Sequence, residues 1–359
     1  MRAAVHILKK IGKPLLRIGL PLAIIAFFVL QVKNDWNVLT AHSFQWNPWL
    51  LALAFLGFVL QEMSFGLIWQ TVLARLGIRL NLRTCLRIYL ASEFVRYIPG
   101  NVWHVLTRIL WVGKYGVSRP IAFASMTIEL ITKLASGGLI FALSLLFWPD
   151  LGSLGGTSRG PLFVALGVAA MLAVLVGLHP RILGGMLNFA LRVLKRDPVV
   201  LALRYRDILF VTLAWCVSWL VAGTAFYVLV LALLPATPLA ALPICIGIYA
   251  LAWDIGFLAF ITPSGLGFRE GTIAGLFALS LAFLPAGFGL IIAFLSRLVS
   301  TLAELLCVTI AYVSGGRQMR EVQQAQGSRA SLSEKAIREE DAIRVPDDST
   351  HTASLKEAP

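Results

Sequence analysis

Three arginines beside interruptions in apolar sequence are the residues best placed to do chemistry. Arg96 and Arg108 flank the interruption Pro99–Asn101. Arg269 follows a second interruption, Pro263–Gly265. A charge in hydrocarbon costs about 2.5–3.5 kcal/mol, and an interrupted helix leaves backbone groups that need polar partners. A guanidinium can bind phosphate through two parallel hydrogen bonds. We therefore expect a polar cavity with contacts for an anionic lipid headgroup.

Helices that restart after each interruption would add backbone donors to this cavity. Their N-termini are expected near Asn101 and Phe268. The free N–H groups at a helix N-terminus bind anions. Arg297 and Glu304 lie seven residues apart in the last apolar stretch, so they share a helix face and can line one cavity wall. We therefore expect the site to lie in a cavity between the two interrupted segments.

A second interpretation makes the same arginines structural. Arg96 and Arg108 would then extend to the cytoplasmic membrane surface, and Arg269 would pair with a carboxylate. Glu93 lies three residues before Arg96, on the same helix face, which favours a local ion pair. Glu270 is adjacent to Arg269, and neighbouring residues point about 100° apart on a helix, so we expect different partners for these two.

Three acidic residues in apolar sequence are candidates for proton coupling: Asp254, Glu129 and Glu304. Asp254 has no basic residue near it in the sequence, and a lone acid in a membrane is typical of proton pathways. In the alternative interpretation, its carboxyl group bonds to a facing helix. Glu129 and Lys133 are four residues apart, which favours a structural pair. His104 is one turn before Arg108 and is interpreted as a core residue.

The composition is that of an integral membrane protein. Hydrophobic residues make up 58% of the 359 residues, charged residues make up 14%, and the mean hydropathy is +0.82. One polytopic domain accounts for this length. The net charge of +13 is expected to face anionic lipids of the inner leaflet and not nucleic acid. The chain contains no familiar catalytic motif, and we expect no catalytic residues, metal or cofactor. Its four cysteines are scattered and are expected to pack in the core: Cys85, Cys216, Cys245 and Cys307.

The apolar stretches predict an all-α polytopic membrane protein with about six full spans. The spans are expected at about Leu20–Leu30, Trp49–Leu73, Ile121–Phe147, Pro161–Leu178, Ile208–Leu234 and Phe288–Val313. Pro180–Asp207, between the fourth and the fifth of these spans, is basic. Within it, Ile182–Leu194 is expected to form a helix on the inner leaflet. Excess Lys and Arg place both termini in the cytoplasm of a cell (inner) membrane.

Two further segments are expected to be broken re-entrant hairpins. Leu86–Trp111 has basic clusters on both sides, which places both of its ends on the cytoplasmic side. Leu239–Phe283 has uncharged flanks, which places both of its ends outside. Hairpins that enter from opposite faces predict an inverted repeat of the kind found in secondary transporters. Residues 1–313 would form the membrane domain, and residues 314–359 a disordered cytoplasmic tail.

Both interrupted segments carry a resemblance to a known family. The run R-x-I-P-G-N-V at Arg96–Val102, followed by Arg108 and by the acid Glu129, resembles the transmembrane, flippase-like region of lysylphosphatidylglycerol synthases. The run P-S-G-L-G-F-R-E-G at Pro263–Gly271 is similar to the same family's P-G-G-L-G-x-R-E pattern, with serine in place of the first glycine. Arg297 fits an arginine often found in that family's last span. The resemblance covers about 15–313 and does not include a soluble synthase domain.

The resemblance implies a lipid translocase that moves an anionic, aminoacylated or polyprenyl-phosphate-linked lipid between leaflets. The predicted substrate-binding residues are Arg96, Asn101, Arg108, Arg269, Glu270 and Arg297. The expected partners are a phospholipid or lipid-linked saccharide substrate and a neighbouring lipid-modifying or glycosyltransferase enzyme. Two alternatives stay open at this point: the chain is itself a membrane glycosyltransferase or lipid-modifying enzyme, or it is a noncatalytic membrane partner of one.

Overall fold

A computed structural model describes residues 44–93, 103–148, 160–193, 203–259, 262–281, 284 and 287–314. In these residues the structure is all-helical, as predicted. The helices are α1 (Pro48–Arg75), α2 (Leu82–Glu93), α3 (Trp103–Gly113), α4 (Arg119–Ser144), α5 (Gly160–Gly177), α6 (Pro180–Val193), α7 (Tyr205–Leu233), α8 (Ala241–Leu258), α9 (Phe268–Ser280) and α10 (Phe288–Ser314). Short 3₁₀ turns occupy Leu145–Phe147 and Pro263–Gly265.

Local sequence sets the start and the membrane face of α1. The Asn47 side-chain oxygen accepts hydrogen bonds from the backbone N–H groups of Trp49 (3.0 Å) and Leu50 (3.3 Å), and Pro48 follows at the first helical position. One stripe at helical spacing exposes large apolar side chains, namely Leu53, Leu56, Leu60, Met63 and Leu67. Such a stripe suits contact with lipid tails, because the tails are as apolar as the leucine side chains and their contact costs no free energy of hydration.

Among the residues that the structure describes, five helices are long and apolar enough to cross a membrane. They are Pro48–Arg75, Arg119–Phe147, Tyr205–Leu233, Ala241–Leu258 and Phe288–Ser314. Four of them match predicted spans. The predicted span Pro161–Leu178 matches α5, and the predicted helix at Ile182–Leu194 matches α6. The predicted first span and the tail at 315–359 lie outside the described residues. The chain is therefore a multi-pass membrane protein.

The two segments predicted as broken hairpins are both pairs of helices. In the first, α2 ends at Glu93 and α3 begins at Trp103, and each helix is about 16–18 Å long, too short to cross the bilayer. The second is interrupted between α8 and α9 as expected. However, α8 has 18 residues and a length of about 27 Å, which suffices to cross. The re-entrant path of this pair and the inverted repeat stay predictions.

Helix α7 is the centre of the packing and contacts α1, α4 and α8. Small residues let these backbones approach closely, as is typical of membrane helices. A Cβ atom added to Gly223 of α7 would lie 2.5 Å from the Cα of Ile246 on α8. A Cβ added to Gly57 of α1 would lie 2.6 Å from the Cβ of Ala225 on α7. The close packing of α1 and α7 positions α8, whose polar residues take part in the candidate site.

Candidate functional site

The first polar cluster is built around Arg108, which α3 holds in the protein interior. Its Nη2 donates to Glu93 on α2, and its Nη1 donates to both carboxylate oxygens of Glu129 on α4, at 3.2 and 3.0 Å. Its Nε donates to the Ser92 hydroxyl at 3.0 Å, and its guanidinium stacks 3.6 Å from the Tyr89 ring centroid. All three guanidinium nitrogens therefore have partners, and the side chain is 1% exposed.

Lys133 extends this cluster along α4. Its ammonium lies 3.6 Å from the ring centroid of Phe65, 3.8 Å from that of Trp253 and 4.8 Å from that of Trp215. Cation–π contacts of this kind stabilise a charged group that is removed from water. A cavity of about 30 Å³ lies beside Lys133 and Arg108, and Trp253 of α8 forms part of its wall. That volume has room for water.

The second polar cluster joins α9 and α10 at the interruption. Arg297 on α10 donates through Nη1 to Glu270 on α9 at 3.0 Å, and to the backbone carbonyl of Ser264 at 3.1 Å. The other oxygen of Glu270 accepts from the backbone N–H of Gly267 at 2.7 Å and caps α9. Arg297 thus holds the turn and the following helix together. Glu270 has a partner other than its neighbour Arg269, as expected.

Arg269 lies in the same cluster with a different environment. Its guanidinium carbon lies 4.8 Å from the ring centroid of Tyr249 on α8. Its Nε and Nη2 atoms are buried, and in the described part of the chain neither has a hydrogen-bond partner. Every guanidinium nitrogen of Arg108 therefore has a hydrogen-bond partner, whereas two of the three guanidinium nitrogens of Arg269 have none among the described residues. Buried donors without acceptors are rare and indicate a ligand, an ion or water at that position.

A cavity of about 10 Å³ opens beside Arg269. It is lined by α1, α8, α9 and α10 through Gln61, Glu62, Tyr249, Trp253, Ser264, Arg269, Arg297, Ser300, Thr301 and Glu304. Arg297 and Glu304 line one cavity, as their spacing predicts. Trp253 lines this cavity and also the cavity beside Lys133. The two cavities therefore share one wall residue, Trp253.

The structure brings together four predicted site residues at the second cavity, namely Arg269, Glu270, Arg297 and Glu304. It places Arg108 and Glu129 together in the first cluster. Arg96 and Asn101 lie outside the described residues. The binding and coupling roles of all of these residues stay predictions. Within the described ranges, no group of three or more His, Cys, Asp or Glu side chains is placed to hold a metal ion.

One structural expectation is wrong. Arg108 does not extend to the membrane surface, because it is enclosed by Glu93 and Glu129. Glu129 bonds to Arg108 and accepts a hydrogen bond from the Tyr89 hydroxyl at 2.7 Å, which are partners beyond the Lys133 that its spacing suggested. Glu93 pairs with Arg108, and its expected pair with Arg96 lies outside the described residues. Ion pairs between helices compete with ion pairs between neighbours on one helix face, and the packing of the helices decides which of them form.

The sequence pattern missed the aromatic side chains of the site. Tyr89, Trp253 and Tyr249 stack on or beside the buried cations, yet in sequence they are ordinary apolar positions. Glu62 was visible as an acid in the middle of a predicted span but was not assigned to a site. Its position inside an apolar helix was the signal that could have found it.

Comparison with known families now decides the relationship. The family model described as the lysylphosphatidylglycerol synthase TM region matches residues 15–307. The chain belongs to this family. The match spans both helix pairs and both polar clusters of the chain. Membership indicates a function connected with membrane lipids. No curated protein matches the chain.

Proposed function

We propose that this protein is a lipid translocase, which moves the headgroup of an anionic, aminoacylated or polyprenyl-phosphate-linked lipid between leaflets while the acyl or prenyl chains stay in the bilayer. One observation carries the proposal. Arg269 presents two buried nitrogens, Nε and Nη2, that have no hydrogen-bond partner among the described residues and lie beside a cavity between four helices. A phosphate oxygen is the acceptor that best fits a guanidinium edge of this kind.

The rest of the second cavity supports binding of a polar headgroup. Ser300 and Thr301 add hydroxyl groups to the wall of this cavity. Glu62 and Glu304, both buried, add negative charge close to Arg269 and Arg297. This mixture leaves the arginines attractive to phosphate without making binding irreversible, because acids in the wall offset part of the positive charge. A carrier needs a site that also releases its cargo.

Arg96 and Asn101, at the other interruption, are proposed to contact the same headgroup from the cytoplasmic side. The proposed location is the cell (inner) membrane with both termini in the cytoplasm, where the net charge of +13 meets anionic inner-leaflet lipids. A neighbouring lipid-modifying or glycosyltransferase enzyme is the proposed source of the lipid. Nucleic acid has no part in this function.

Transport of fluorescent lipids in proteoliposomes tests the proposal. The purified protein would be reconstituted with headgroup-labelled or tail-labelled analogues of phosphatidylglycerol, lysylphosphatidylglycerol or a polyprenyl-phosphate sugar, and a membrane-impermeant quencher would report the outer leaflet. We expect wild-type protein to speed leaflet exchange of at least one analogue. Arg269→Ala is expected to reduce that rate at least tenfold, and Arg269→Lys to keep part of it, because one charge remains without the planar fork.

Arg75→Ala is the matched control. Arg75 is also an arginine with an ionic partner, Asp207, but it lies near the end of α1, away from both cavities, and is part-exposed. Exchange that is equally fast for wild-type and Arg269→Ala would refute the site. Absence of exchange for all three lipid classes would refute translocation. Radiolabel retained on lipid after incubation with sugar donors would instead favour a lipid-modifying enzyme.

A further inference from the structure

Asp254 is a buried carboxylate on α8 that neither ion-pair network uses. Its side chain faces α4, where a Cβ atom added to Gly137 would lie 2.2 Å from Oδ2 and 2.8 Å from Oδ1. The missing side chain of Gly137 therefore creates the space that the carboxylate fills. Asp254 is 6% exposed, and its Oδ1 has no hydrogen-bond partner among the described residues. A carboxylate in this position is poorly compensated by hydrogen bonds.

Lys133 is the cation that faces Asp254. Glu129, Lys133 and Gly137 are spaced four residues apart on α4, so one helix face carries an acid, a base and the niche for Asp254. Trp253, the neighbour of Asp254, lies 3.8 Å from the Lys133 ammonium. The rings around Lys133 keep its charge stable inside the protein. The cavity of about 30 Å³ that Glu129 and Lys133 line has room for water beside this helix face.

The other helices packed on α8 supply few charges near Asp254. On α7 the only charged residues, Arg206 and Asp207, are at its N-terminal end, and the middle of that helix presents Trp215 and Trp219. On α9 the nearest charge is Arg269, which stacks on Tyr249. From α3, His104 contacts Phe257 edge-on, 6.4 Å between ring centroids. From α1, Glu62 lines the cavity on the other side of Trp253.

We propose that Asp254, set against Lys133, is a proton-binding site of this protein. A proton from water binds one carboxylate oxygen of Asp254 and leaves a neutral carboxylic acid, while Lys133 keeps its own proton. Loss of the negative charge frees Lys133 from its attraction to Asp254. Because the ammonium stacks on Trp253, and Trp253 lines both cavities, protonation changes the wall of the Arg269 cavity. The coupling to lipid movement rests on the proposed function, whereas proton binding does not.

Infrared difference spectroscopy of the full-length protein in liposomes tests proton binding without any substrate. Spectra recorded at low and high pH, in H₂O and in D₂O, report the C=O stretch of a protonated carboxyl group buried from solvent. We expect one such band in the wild type and its loss in Asp254→Asn. Asp207→Asn is the control, because Asp207 lies at a helix start with Arg75 as partner. An Asp254→Asn protein that keeps the full band would overturn the proposal.

Two further variants separate a proton site from a structural carboxylate. Lys133→Met removes the facing cation and is expected to shift the pH midpoint of the band upward by at least one pH unit. Gly137→Ala fills the niche and is expected to shift or abolish the band. A midpoint that is unchanged in Lys133→Met contradicts the role of that pair. If either variant fails to fold, Asp254→Asn alone still decides the result.

Lipid exchange under an imposed pH gradient then tests coupling. We expect the gradient to change the wild-type exchange rate at least threefold and to leave Asp254→Asn insensitive. A band that depends on Asp254, combined with exchange that ignores the gradient, would refute coupling and keep the proton site. A band without any lipid exchange would refute the proposed function but not the proton site.

Discussion

Arg108 and Arg269 stand beside the two helix interruptions, and their surroundings differ in one respect. Every guanidinium nitrogen of Arg108 has a partner, and two acids neutralise it. Arg269 stacks on one ring and leaves two nitrogens without partners beside a cavity. A fully paired arginine joins helices, because breaking its bonds leaves buried charges behind. An incompletely paired arginine is available to a ligand. The number of unused donors thus distinguishes the two roles.

The largest expected effect on stability comes from Arg108→Ala. This change leaves Glu93 and Glu129 buried without their cation, which is expected to cost about 3–5 kcal/mol of unfolding free energy. Denaturant titration of the purified protein in mixed micelles measures it. Neutralising all three residues together, with Arg108→Met, Glu93→Gln and Glu129→Gln, should recover most of the loss. If Arg108→Ala lost less unfolding free energy than Arg269→Ala, the two arginines could no longer be divided into a structural and a binding residue.

Gly265→Ala tests the interruption that positions Arg269. Gly265 has φ of 67°, and an added Cβ would lie 2.3 Å from the carbonyl oxygen of Gly256 on α8. Positive φ and this contact together are expected to cost about 1–3 kcal/mol and to displace the turn whose Ser264 carbonyl binds Arg297. We expect lower melting temperature and slower lipid exchange. Gly138→Ala, with open space at its Cβ position, is the control and should change neither.

Arg297→Lys asks whether the second cluster needs a planar fork. One Nη1 atom of Arg297 reaches both Glu270 and the Ser264 carbonyl. A lysine ammonium keeps the charge but sits on a differently shaped side chain, so we expect it to keep one bond and lose about 0.5–1.5 kcal/mol. Thermal unfolding compared with Arg297→Ala, which should lose more, measures the difference. Equal losses for both variants would show that the charge kept by lysine contributes nothing without the guanidinium group.

The smallest expected change in stability belongs to Arg269→Ala. It removes one cation–π contact and also two unpartnered donors, so the unfolding free energy should change by about 1 kcal/mol or less. The same variant is expected to lose lipid exchange at least tenfold. Measuring both unfolding free energy and lipid exchange for Arg269→Ala and Arg108→Ala shows whether each variant affects mainly binding or mainly stability. A stability loss as large as that of Arg108→Ala would mean that Arg269 is a structural residue too.

The second helix interruption shows how far sequence reasoning reaches. Pro263 and the glycines at 265 and 267 predicted a break and a restart near Phe268, and α9 begins at that residue. The path of the pair was not determined by the same signal, because α8 is long enough to cross the membrane. Length, hydropathy and helix breakers are local quantities. The route of a segment through the bilayer depends on what packs against it.

The partners of the buried charges show the opposite case. Spacing linked Glu129 to Lys133, yet Glu129 binds Arg108 from another helix, and Lys133 stacks on Phe65 and Trp253. An i,i+4 pair gains only about 0.2–0.5 kcal/mol, and buried, fully hydrogen-bonded contacts between helices outweigh it. Helix packing therefore decided these pairs.

Three properties could be derived from the amino-acid sequence: the chain crosses membranes as helices, two of its helix pairs are interrupted, and it belongs to a known family. These properties follow from hydropathy, from glycine and proline, and from motif residues, all of which act along the chain. The packed fold was needed to show that every guanidinium nitrogen of Arg108 has a partner, that Arg269 faces a cavity, and that Trp253 lines both cavities. Hydrogen-bond acceptors and aromatic rings come from helices far apart in sequence, and a shortage of partners exists only once those helices have packed.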